Sequence, residues 1–116
     1  YLLLVPNFEL SFMLGPNAVS EEWTCILGLY SSRQRRLIEF WFRPNSTTLL
    51  TKINHREAEC EADVELPLGR YSHVVATLLD DNFTLRIGGK EACKCYPPSR
   101  RVEKALSLPP SFFHLV

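Results

Sequence analysis

Apolar positions in this chain recur with a period of two, most clearly between Leu66 and Lys90. Tyr71, His73, Val75, Thr77 and Leu79 fall on one face of a strand, and Ser72, Val74, Ala76 and Leu78 on the other. Both faces are largely apolar, which predicts a central strand covered on both sides. Phe83, Leu85 and Ile87 then alternate with Thr84 and Arg86, giving a second strand with one buried and one wet face. Asp80, Asp81 and Asn82 tolerate left-handed backbone angles and bond their own main chain, so a tight turn is predicted between the two strands. Gly88-Gly89 marks the next reversal.

The rest of the chain is punctuated in the same way. Turn signals stand at Gly15-Pro16-Asn17, Ser31-Ser32, Pro44-Asn45-Ser46, Pro67 to Gly69, Pro97-Pro98 and Pro109-Pro110. Between them, Phe8, Leu10, Phe12 and Leu14 alternate with Glu9, Ser11 and Met13. Residues 23–30 and 37–43 are heavier and read as core strands, with Trp23 and Trp41 inside them as core side chains, and 47–53 follows as a hairpin partner. In 56–66 the carboxylates of Glu57, Glu59, Glu61, Asp63 and Glu65 alternate with apolar residues. Ala and Glu favour helix, but a helix would scatter these carboxylates around its surface. The expectation is a strand with one acidic face near a sheet edge, where charge keeps other strands off. Many short strands at this spacing indicate an all-β sandwich or barrel. No repeat or linker divides residues 1–116, so they read as a single domain.

Composition narrows the setting. With 46% hydrophobic residues the chain has enough apolar surface for a packed core. Thirteen basic residues balance thirteen acidic ones, so no global field draws it to nucleic acid or to an anionic membrane. No apolar run reaches the roughly 20 residues of a membrane span. The apolar ends, Tyr1 to Pro6 and Phe112 to Val116, are expected in a truncated module of a larger protein. Cys25, Cys60, Cys93 and Cys95 are an even count without paired C-x-x-C spacing, which favours disulfides over a metal site. Cys93 and Cys95 share a face of one strand, so each is expected to reach elsewhere, to Cys25 or Cys60, with Cys60 pairing with one of them. Asn45-Ser46-Thr47 and Asn82-Phe83-Thr84 are glycosylation sequons at turns. Together these features point to an oxidising, extracellular setting, secreted or at the cell surface.

The order of elements resembles a known family. Phe8 to Phe12 and Trp23 to Tyr30 resemble its opening strands. Pro67-Leu68-Gly69-Arg70-Tyr71-Ser72-His73-Val74 resembles the "small loop, aromatic, x, His, hydrophobic" lead-in of laminin-G-like domains, and Phe83 to Lys90 the strand and glycine turn after it. The wider group includes pentraxins and thrombospondin N-terminal-type modules. The last look closest, through the cysteine after the second strand and the Pro-Pro loop before a final hydrophobic strand. Tyr71 stands where Trp is usual, and Gly88-Gly89 where Asp-Gly is usual. The resemblance implies an antiparallel jelly-roll β-sandwich of laminin-G-like type. It also implies a non-catalytic extracellular recognition or adhesion module that binds glycosaminoglycan, glycan, or matrix and surface proteins, with neighbouring domains in the same chain.

Two basic clusters suit sulfate and carboxylate capture: Arg33, Arg35 and Arg36 in one loop, and Arg100, Arg101 and Lys104 after the Pro-Pro loop. Glu61-Ala62-Asp63-Val64-Glu65 resembles the catalytic strand of glycoside hydrolases built on a similar sandwich, with Glu61 and Glu65 as the catalytic pair. On a regular strand their backbones lie about 13 Å apart, too far for a retaining pair unless a bulge intervenes. No catalytic residue, metal or cofactor is therefore assigned, and calcium on this face would need a wrapping loop that the sequence lacks. His73 reads as a packed residue with a satisfied ring nitrogen. A structural assembly domain of a larger extracellular or filament protein is the alternative function.

Overall fold

The structure, a computed structural model, describes residues 7–54, 58–97 and the backbone of 113–115. It is all-β: β1 Phe8–Leu14, β2 Thr24–Tyr30, β3 Arg36–Phe42, β4 Thr48–Ile53, β5 Ala58–Glu65, β6 Ser72–Leu79, β7 Asn82–Ile87, β8 Lys90–Cys95 and β9 Phe113–Leu115. They form two antiparallel sheets, β1-β6-β7-β8 and β5-β4-β3-β2-β9. The sheets pack face to face as a β-sandwich around one core, which holds Phe40, Ile38, Leu49 and Ile53 from one sheet and Val74, Leu78, Phe83 and Leu85 from the other. Phe12 of β1 meets the buried Phe40 edge to face, with centroids 5.5 Å apart, and so ties the layers at mid-sandwich.

The alternation seen in sequence becomes burial in most strands. Phe83 and Leu85 point into the core while Thr84 and Arg86 do not. In β5, Cys60 and Ala62 point inward while Glu59, Glu61, Asp63 and Glu65 face solvent, and β5 is an edge strand, as its acidic face predicts. For β6 the expectation of two covered faces is corrected. Val74, Ala76 and Leu78 are buried, but His73 and Leu79 are exposed and Val75 and Thr77 only half-buried. The sandwich has two layers and nothing lies over the outer face of this sheet among the described residues, so one apolar row suffices. Val75 and Leu79 are β-formers there rather than core.

The hairpins follow the turn chemistry. Leu79 faces Asn82 across a two-residue turn, so Asn82 belongs to β7 and the turn is Asp80-Asp81 alone. Asp80 takes φ +54°, and Asn7 holds it by accepting the Asp80 amide at 2.8 Å. Gly88 and Gly89 both have positive φ between the paired residues Ile87 and Lys90, where side-chain-bearing residues would be strained. The disulfide Cys60–Cys93 joins β5 to β8, an edge strand of each sheet. This meets the expectation that Cys60 pairs with Cys93 or Cys95. The expectation that Cys25 and Cys95 are also disulfide-bonded is corrected: they are free thiols, because Cys25 lies in β2 opposite Trp41 and Cys95 in β8 of the other sheet.

Candidate functional site

Strand direction sorts the loops into two ends. One end carries loops 15–23, 43–47, 66–71 and the Gly88-Gly89 turn; the other carries 31–35, Asp80-Asp81 and the exit from β8. Backbone hydrogen bonds knit the first set together. The Gly69 amide donates to Pro16 at 2.8 Å, Asn45 to Ser20 at 2.6 Å, and Leu66 to Thr47 at 3.3 Å. The buried Thr47 hydroxyl returns a bond to the Leu66 carbonyl at 2.6 Å. Tyr71 lies on Gly15 so closely that a Cβ there would meet its ring at 2.8 Å, which is why the 15–23 loop opens with glycine. Three loops that connect different strands thus form one pinned surface.

That end exposes large apolar side chains among polar ones. Met13, Val19, Trp23, Val64, Leu68 and Tyr71 are all exposed, Tyr71 by 76%. Trp23 stands just before β2 and is 42% exposed, and Trp41 is only half-buried on the outer face of its sheet. The expectation of two core tryptophans is corrected. A β-bulge at Ile26 turns Cys25 to the Trp41 side, and cations rather than apolar groups meet the two indoles. The Arg43 guanidinium lies 5.3 Å from the Trp23 ring, and the Lys52 ammonium lies 5.6 Å from Trp23 and 4.8 Å from Trp41. Glu21, Glu22, Asp63 and Glu65 rim the surface with exposed carboxylates.

The acidic strand behaves as a partnered surface. Arg43 forms an ion pair with Glu61, and Ser46 donates to Glu65 at 2.9 Å. A bulge intervenes here: Glu61 and Glu65 oppose Leu50 and Thr48, so two residues of β4 span four of β5. Their backbone separation is thereby shorter than on a regular strand. Glu61, Asp63 and Glu65 remain exposed on an edge strand, and no metal-binding cluster of His, Cys, Asp and Glu occurs among the described residues.

At the opposite end Ser31 shapes the arginine loop. Its backbone amide donates to Arg35 at 2.8 Å, and its hydroxyl accepts the amides of Arg33 and Arg35 at 3.3 and 3.1 Å. Gln34 takes φ +63° to complete the turn. Arg33, Arg35 and Arg36 are all exposed. A bulge skips Leu37, which turns inward, and puts Arg36 and Glu39 on the same outer face, 3.7 Å apart. Glu39 is 2% exposed, and its second carboxylate oxygen has no hydrogen-bond partner. Arg100, Arg101 and Lys104 lie outside the described residues, as does His55.

The remaining predicted groups separate. Asn45 is exposed in the 43–47 loop with φ +57°, whereas Asn82 opens β7 with its amide oxygen buried and unpartnered. His73 is exposed rather than packed, and its Nε2 lies 2.5 Å from the Ser11 hydroxyl. Burial, then the Glu39 carboxylate, push the Cys25 thiol above its usual range; burial alone does so for Cys95. Sequence reasoning missed the knitted loop end because its bonds join residues 19 to 53 positions apart. The exposed-aromatic signal was present only as Trp23 and Tyr71 beside turn residues. No protein-family model and no curated protein matches the chain.

Proposed function

We propose that the domain is a non-catalytic extracellular recognition module, and that it docks a protein on the loop end around Trp23, Leu68 and Tyr71. One observation carries this reading. Four exposed large apolar side chains, Val19, Trp23, Leu68 and Tyr71, stand on loops at one end that are tied to one another by backbone bonds, and Met13 and Val64 stand near the ends of the adjoining strands. Exposed apolar side chains gathered in a patch mark interaction sites, and a surface fixed before binding loses little entropy on docking. Trp and Tyr are the side chains that most often dominate such contacts. The Cys60–Cys93 disulfide fits an oxidising compartment, and among the described residues no helix is long and apolar enough to cross a membrane. The laminin-G-like and jelly-roll character remain part of this proposal. The sandwich itself agrees with it but carries no chemistry.

The test presents the domain on beads to a panel of purified extracellular proteins, beside a Trp23→Ser/Leu68→Ser variant. Binding of at least one protein should weaken about tenfold or more in the variant. Equal binding by both forms across the panel would sink the reading.

The pinned loop of Arg33, Arg35 and Arg36 favours a second ligand, a sulfated glycosaminoglycan, at the other end of the sandwich. Heparin-column retention should fall with added salt and with alanine at all three positions. Unchanged elution of that variant would refute it.

A further inference from the structure

We propose that the outer edge of β1 is a strand-addition site. Its guest is an extended segment of a partner protein that alternates apolar and polar residues, with a cation in the polar row. This surface is separate from the loop end and stands or falls independently of it.

The edges of the two sheets are guarded unequally. β5 carries exposed carboxylates and a bulge. β8 carries Lys90, Glu91 and Lys94 and a bulge, and Cys93 fastens it to the other sheet. β9 is three residues long. Charge, bulges and shortness are the usual means of keeping foreign strands away, and β1 has least of them. Its seven residues pair with β6 without a bulge, and Glu9 is their single charge. No described strand pairs with its other side, so alternate residues along β1 present N–H and C=O groups outward.

The geometry beside this edge selects a single strand as the occupant. The Cys60–Cys93 bond sets β8 over β5, and counting strands across the layers from there leaves β9 without a counterpart beyond β1. The place over β9 is one strand wide, about 4.8 Å in the pairing direction. One extended segment fits it, whereas a second copy joined through β1 would bring a wider sheet of its own. The inward row of β1 is also incompletely covered. Phe8, Leu10, Phe12 and Leu14 are half-buried, while Val74, Ala76 and Leu78 in the neighbouring β6 are buried. Apolar residues in the guest's inward row would pack beside the first four. The outward row of β1 is Glu9, Ser11 and Met13, all exposed. A guest cation opposite Glu9 answers its charge, and a long aliphatic stem opposite Met13 covers the thioether. Main-chain bonds give such a complex its affinity, and alternation fixes which face of the guest turns inward.

The probe is the peptide Val-Lys-Val-Thr-Val-Lys-Val. Aligned with β1, it sets valines beside the inward row and a lysine opposite Glu9 in either strand direction. It is titrated to about 1 mM into the isotope-labelled domain, with shifts and amide hydrogen exchange followed by NMR. Binding should saturate, and alternate amides of β1 should exchange about tenfold more slowly while those of β8 do not change. Proline at the third and fourth peptide positions removes a donor whichever register holds, and should abolish binding. Glu9→Lys should weaken binding about fivefold, and Trp23→Ser/Leu68→Ser should leave it unchanged. Absence of saturable binding, protection outside β1, or equal binding of the proline peptide would each overturn the proposal. So would unchanged affinity in a folded Glu9→Lys variant, or loss of binding in the Trp23→Ser/Leu68→Ser variant. If every β1 amide is already slow in the free domain, a segment of this chain holds the edge and the proposal falls.

Discussion

Reducing the Cys60–Cys93 bond should cost this domain a large share of its stability. The two cysteines are 33 residues apart. In the chain-entropy account, a cross-link closing a loop of that length removes about 4 kcal/mol of disorder from the unfolded chain. The cost has a structural counterpart, because the bond joins edge strands of different sheets and Cys60 is buried in the shared core. For a domain of this size the loss corresponds to a fall of about 15 °C in melting temperature. The assay compares thermal and urea unfolding of three forms: wild type, wild type under reductant, and Cys60→Ala/Cys93→Ala. All should carry Cys25→Ser and Cys95→Ser so that thiol exchange cannot intervene. If the cross-link matters, reductant and double alanine should destabilise alike. If packing of the sulfurs matters, the reduced thiols still fill the space and only the alanines should hurt. A reductant effect below about 1 kcal/mol would refute the entropic reasoning.

Three further outcomes follow from the same geometry. Glu39→Gln should leave stability unchanged or raise it by up to about 2 kcal/mol in urea denaturation, since a buried carboxylate with one oxygen unpartnered and a single cation 3.7 Å away is poorly compensated; a loss above that size would show that the Arg36 contact is worth more than its geometry implies. Cys25 and Cys95 should alkylate more slowly than a free thiol at pH 8 and at near-equal rates once the chain is unfolded, measured by mass spectrometry. Because folding raises both thiols above their unfolded value, their contribution is intact below the ordinary thiol range and is lost as pH rises through the folded values, so unfolding free energy should decline on the alkaline side and a Cys25→Ser/Cys95→Ser variant should decline less. Gly88→Ala should cost about 1 kcal/mol, with φ at +60° and open space around the new methyl, so a larger loss would point to something other than backbone strain.

Period-two patterning carried the fold because burial in a two-layer sandwich is decided residue by residue along each strand. Phe83, Leu85, Cys60 and Ala62 all point where alternation sends them. It failed where alternation is interrupted. The bulge at Ile26 and the one that skips Leu37 reset which side chains share a face, and neither leaves a mark in composition. Hence the tryptophans read as core, and hence the proximity of Arg36 to Glu39 was invisible. β6 misled for a different reason: β-branched residues favour strands whether or not they are covered, so Val75 looked buried. The arginine loop was legible as charge, but the serine that pins it was not, since Ser31 looked like any turn residue. The loop end was the least legible part. Its coherence depends on bonds between Gly69 and Pro16 and between Asn45 and Ser20, which only the closed sandwich brings within reach.

The division between sheets and ends also explains where variation is tolerable. The outer sheet faces carry charged groups in cross-strand register, such as Glu59 opposite Lys52 and Arg86 opposite Glu91, and these keep the faces soluble without specifying a partner. Edge protection is uneven. β5 has its carboxylates and a bulge, while β1 pairs with β6 through seven residues without a bulge and bears Glu9 as its single charge. That edge does not favour symmetric pairing of two copies. The five-stranded sheet reaches one strand further than its partner on that side, so β9 and β2 of a second copy would compete for one place beneath the joined β1 edges. Among the described residues the loop end faces no such obstruction. With the wider sheet blocking the one plain edge to a second copy, the loops at the end that carries Val19, Trp23, Leu68 and Tyr71 are left for specific contact with a folded domain, and there the exposed aromatics are found.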